Sequence, residues 1–139
     1  MSATKLYTPQ VLGLATSLSS YPWDETLPLR SSARSKSCGS TIELALATDE
    51  SGRIERVAVK SQACAIGQAA AAIFASAAKG RSAEEIGEAS EAIEDWLAGR
   101  RERPDWPGLE AIEVARDYPG RHGAIMLAWQ AARELLSSD

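Results

Sequence analysis

Two short alternating segments sit side by side in the first half of the chain, and they restrict the fold more than anything else in it. In Thr41–Thr48, Ile42, Leu44 and Leu46 alternate with Thr41, Glu43, Ala45 and Ala47. In Ile54–Lys60, Val57 and Val59 alternate with Arg56, Ala58 and Lys60. Successive side chains of a strand point to opposite faces, so each segment reads as a strand with one buried face. Asp49-Glu50-Ser51-Gly52-Arg53 between them is a hairpin loop in which Gly52 can take a positive φ. Residues 29–37, rich in Ser and Arg, read as an accompanying edge strand. After Lys60 the periodicity is helical. The expectation is an α+β domain over residues 1–139: a small three-stranded antiparallel sheet with helices packed on one face.

The helical segments carry their own punctuation. Tyr7 to Leu18 clusters Val11, Leu12, Leu14, Ala15 and Leu18 on one side, with Thr8-Pro9 at its start, where the missing proline N–H costs nothing. Ala63–Lys79 places Ile66, Ala70, Ile73, Phe74 and Ala77 at helical spacing and stops at Gly80. Ser82-Ala83-Glu84-Glu85 has the form of a capping box. Ile86, Ala89, Ile93, Trp96 and Leu97 trace the face of the helix that follows, with a break expected near Gly87. Leu109–Arg116 reads as a short helix ended by Tyr118-Pro119-Gly120, and a last helix is expected from about Ala124 to Leu136.

Composition excludes several functions. Apolar residues make up 45% and charged residues 24%, as in ordinary globular proteins. No apolar run reaches the ~20 residues of a membrane span, and the first residues lack the pattern of a signal peptide. The expected location is the cytoplasm, with no membrane partner. The net charge of −4 gives no electrostatic case for nucleic acid. There is no P-loop, GxGxxG or HExxH motif. Trp23, Trp96, Trp106 and Trp129 read as packing residues.

Chemistry is left to three junctions. Cys38 lies in Ser37-Cys38-Gly39-Ser40, just before the first alternating strand. Cys64 lies in Ala63-Cys64-Ala65-Ile66-Gly67, at the head of an Ala-rich helix, where unpaired N–H groups and the helix dipole favour an anion. His122, the sole histidine, precedes the last helix in Arg121-His122-Gly123-Ala124. Two sulfurs and one nitrogen would suit zinc or iron–sulfur chemistry if the junctions meet. Spacing alone leaves the alternative open: two cysteines 26 residues apart, without a CxxC, are more often buried small side chains. With two cysteines in a reducing compartment, free thiols or ligands are favoured over a disulfide.

The three junctions together resemble the U-type iron–sulfur scaffold family, the IscU/SufU/NifU amino-terminal domain with its SufE/IscU-like fold. That family usually has Cys-Gly-Asp, then Gly-Cys-Ala-Ile-Ser, then Arg-x-x-Cys-Ala-x-Leu-x-Trp. The segment 109–121 and Leu127-Ala128-Trp129, with the long helical stretch between Cys64 and Ala124, resemble the SufU branch most closely. The resemblance implies an assembly scaffold that is not itself an enzyme. It implies a zinc or iron–sulfur site and a partnership with a pyridoxal-phosphate cysteine desulfurase and other assembly proteins.

Carried over by position, Cys38 and Cys64 keep their ligand roles. Arg121 corresponds to the arginine near the site and the desulfurase interface. Ser40 stands for the aspartate, Ala124 for the third cysteine and Gly67 for the motif serine. A structural zinc site normally takes four protein ligands, so two of four are replaced. The metal expectation is therefore Cys38, Cys64 and His122, with cofactor contacts from Cys38, Cys64 and Arg121. Two functions follow: a scaffold or sulfur relay with a modified site, or a degenerate paralogue that docks to assembly proteins without metal. A zinc hydrolase ranks last, because the junctions carry no acidic general base.

Overall fold

The computed structural model describes residues 7–35 and 39–137. Three strands form one antiparallel sheet in the order β1 (Leu29–Arg34), β2 (Thr41–Thr48) and β3 (Ile54–Gln62). The register puts Leu29, Leu46 and Val57 in one row, Ser31, Leu44 and Val59 in the next, and Ala33, Ile42 and Ser61 in a third. This is the inner face. Ile42, Leu44 and Leu46 are fully buried on it, as the alternation predicts. The β2–β3 loop closes through Asp49, whose backbone and carboxylate both bond to Arg53, and Gly52 has φ 87°.

Four α-helices follow the expected segments: α1 (Pro9–Ser17), α2 (Ala65–Ala78), α3 (Ala83–Leu97) and α4 (His122–Ser137). Thr8 caps α1 and the capping box of Ser82 and Glu85 opens α3. α2 is the central helix. It packs on α1, α4 and β3, and ten of its fourteen residues are buried. A helix apolar on nearly all sides belongs in the middle of a domain rather than on its rim. α4 lies against β1, β2 and α3.

Four details differ from the sequence reading. α3 runs unbroken through Gly87. Residues 109–117 form 3-10 turns with a kink at Ile112 instead of a regular helix. α4 begins at His122, two residues earlier than expected, so the histidine belongs to the helix. The outer sheet face is also partly covered: Leu27, Ala45 and Ala58 are buried together beside Trp23. The backbone N–H of Val59 donates to Tyr21 O, which pins the 21–27 loop along β3. Beyond that cover, a trough of about 830 Å³ stays open, lined by Trp23, Arg30, Arg34, Glu43 and Lys60 among others. Among the described residues, no helix is long and apolar enough to cross a membrane.

Candidate functional site at the α2 and α4 starts

One end of the sheet collects the junctions. Thr41 at the start of β2 pairs with Gln62 at the end of β3, so Gly39-Ser40 and Ala63-Cys64 leave the sheet from the same edge. The β1–β2 turn is closed by Ser35 N–H donating to Ser40 O at 2.8 Å, and Gly39 takes φ 71°. Ser40 is buried. Cys38 lies outside the described residues, so its place relative to Cys64 is not part of this geometry.

Cys64 is the N-cap of α2, half-buried and a free thiol. Its backbone is extended, with φ −64° and ψ 168°, as an N-cap requires, and its side chain makes no capping bond. The first N–H groups of α2 thus lack a side-chain acceptor from the cap, which suits an anion beside the thiol. The Gln68 side chain donates to Ala63 O at 3.0 Å and braces the segment just before the cap.

Gly67 carries the contact to α4. A Cβ there would lie 2.8 Å from Ala63 Cβ and 3.3 Å from Ala124 Cβ. Ala124, at the third-cysteine position, is buried. The structure therefore brings the Cys64 segment against the Ala124 segment, and it does so through hydrogen and methyl groups.

His122 is half-buried, and its Nε2 lies 2.9 Å from Arg116 O. A carbonyl only accepts, so Nε2 donates and only Nδ1 keeps a lone pair. The histidine ties α4 to the 109–117 turns. Arg121 sits in the 3-10 turn Pro119–Arg121, half-buried, and its guanidinium has no hydrogen-bond or ion-pair partner among the described residues. No group of three His, Cys, Asp or Glu residues able to hold a metal occurs among the described residues. At position 124 the family's cysteine is replaced by a methyl, and the Nε2–H bond to Arg116 O leaves Nδ1 as the ring nitrogen of His122 that could bind a metal.

Sequence reasoning placed Gly67 at the motif-serine position and missed its packing against Ala63 and Ala124. A signal was present, since a glycine in the first turn of an otherwise Ala-rich helix gives up helix stability that alanine would supply.

The family description NifU-like N terminal domain matches residues 6–124. The chain belongs to this NifU-like N-terminal domain family. A nitrogen-fixing NifU-like protein (N-terminal) from Brucella abortus has a similar crystal structure, with TM-score 0.87 and 25% identity, covering 98% of this chain and 95% of that one. A putative iron–sulfur cluster assembly scaffold protein for the SUF system from Fervidobacterium islandicum AW-1 has the same fold. Its TM-score is 0.83 at 20% identity, covering 96% of this chain and 98% of that one. No curated protein matches the chain. Likeness to both structures leaves the SufU branch undistinguished within the family.

Proposed function

We propose that this protein serves iron–sulfur cluster assembly as a U-type scaffold that receives sulfur on Cys64, with Cys38 as the second thiol, and has no catalytic activity of its own. The observation that carries the reading is the half-buried, uncapped Cys64 thiol at the start of α2, in a chain of the NifU-like N-terminal family. The donor is a persulfide on a pyridoxal-phosphate cysteine desulfurase, as the SufU resemblance implies. Attack of the Cys64 thiolate on the outer sulfur breaks the donor S–S bond and forms a new one. Cys64 then carries the sulfane sulfur and the donor leaves as a thiol, so no external oxidant or reductant is needed. Arg121, without a described partner, would meet an acidic group of the docking protein, as the resemblance implies.

The test is mass spectrometry after incubation with a cysteine desulfurase and free cysteine. A sulfur adduct is expected on Cys64 in the wild type and absent in Cys64→Ser. An unmodified wild-type Cys64 would rule out the relay. A second reading, docking without cargo, is favoured by the methyl of Ala124 at the third-cysteine position, which supplies no donor atom. Under it, Cys64→Ser would bind the desulfurase as well as wild type does, with no adduct on either.

A further inference from the structure

The backbone conformation of Gly67, at the candidate site, does not explain why it is glycine. Its φ is not positive, so the backbone there does not require glycine. Within α2 it costs helix stability relative to alanine. By contrast, Gly13 in α1 has open space where a Cβ would stand. Space is what excludes a side chain at position 67. A Cβ would fall 2.8 Å from Ala63 Cβ, a separation real Cβ atoms essentially never show, and 3.3 Å from Ala124 Cβ. The helix starts meet here at the limit of contact, and Ala124 keeps only 2% exposure.

We infer that Ala63, Gly67 and Ala124 form a steric closure that fills the α4 ligand position with packed methyl groups. The closure sets the Cys64-bearing start of α2 directly against the start of α4. Position 124 is then packed by methyl groups, and a thiol introduced there is shielded while the closure holds. Gly67 is in this sense a positioning residue for Cys64, three positions before it on the same first turn. The inference deepens the assembly reading and rests on it only for the nature of the cargo, because the closure itself can be measured without any.

The experiment uses the full chain, with Gly67→Ala and Ala124→Cys. Iodoacetamide labelling followed by peptide mapping reads each thiol separately. In folded Ala124→Cys, the new thiol is expected to react at least about ten-fold more slowly than Cys64, and the two should react alike in denaturant. Equal native rates at positions 124 and 64 would overturn the closure. Gly67→Ala supplies the second measurement and decides the matter if Ala124→Cys does not fold. Helix propensity alone would raise its melting temperature, whereas overpacking at this contact should lower it by about 3–10 °C. It should also change the labelling rate of Cys64 at least about three-fold. An unchanged or raised melting temperature, with unchanged Cys64 labelling, would refute the positioning role. Sulfur transfer to wild-type Cys64 is read separately, so a failed closure and a failed relay give different results.

Discussion

His122 joins the start of α4 to two other parts of the fold through one ring nitrogen. Its Nε2 donates to Arg116 O, and Arg116 in turn donates from Nε to Trp96 O at 3.0 Å. The pair links the start of α4 to the 109–117 turns and to the end of α3. His122→Ala should therefore cost stability, about 0.5–1.5 kcal/mol for one hydrogen bond, and leave sulfur acceptance by Cys64 intact. Urea unfolding and adduct mass spectrometry check the two halves; loss of the adduct would give the histidine a role in holding cargo. From the sequence, a histidine two residues before a lost cysteine position reads as a substitute ligand. The structure adds a carbonyl six residues upstream that takes Nε2 and leaves Nδ1 open, which no motif announces. Gly67 is similar in part: its shortest contact is Ala63, four residues back, and its second is Ala124, 57 residues on.

At the scale of elements, local signals were legible where they are self-contained. The capping box is an example. Ser82 Oγ accepts from Glu85 N at 3.2 Å, and Glu85 Oε1 accepts from Ser82 N at 2.9 Å and from Arg53 Nη1 at 3.0 Å. Ser82→Ala should destabilise the protein by about 0.5–2 kcal/mol in thermal or urea unfolding. The Ser82 backbone N–H first, and Arg53 after it, hold the Glu85 carboxyl below its ordinary value. A depressed carboxylate stabilises the fold above its unfolded-state value, and that stability is lost as pH falls through the folded value. Acid should thus weaken the box, and Glu85→Gln should flatten this part of the stability profile below about pH 5. An unchanged acid limb in the Gln variant would remove the carboxylate from the account. Asp49 acts with the same sign, held down mainly by the Ser51 hydroxyl. The outer-face cluster was not legible, because Ala45 and Ala58 fit either face of a sheet. Their cover comes from Trp23 and Leu27, outside the alternating segments.

For the whole molecule, the inner core is one contiguous cluster, from Val11 in α1 to Ala132 in α4. Near its centre Phe74 stacks on Trp106 at 5.8 Å, and Trp129 meets both rings edge-on at 5.5 and 5.4 Å. Trp106 also donates to Ile73 O at 2.9 Å, which fastens the segment before the 109–117 turns to α2. Trp106→Ala should cost about 3–5 kcal/mol, with fluorescence and circular dichroism still reporting one coincident transition. Two separated transitions would show that the helices and sheet unfold independently. The sheet adds a consequence of a different kind. Leu44, Ala45 and Leu46 have no exposure, sit in the middle strand and are covered from both faces. Their amides can meet solvent deuterium only when the entire chain opens. A peptide spanning them is therefore a clock for the global unfolding of the molecule, and any cargo or partner that binds only the folded state must slow it.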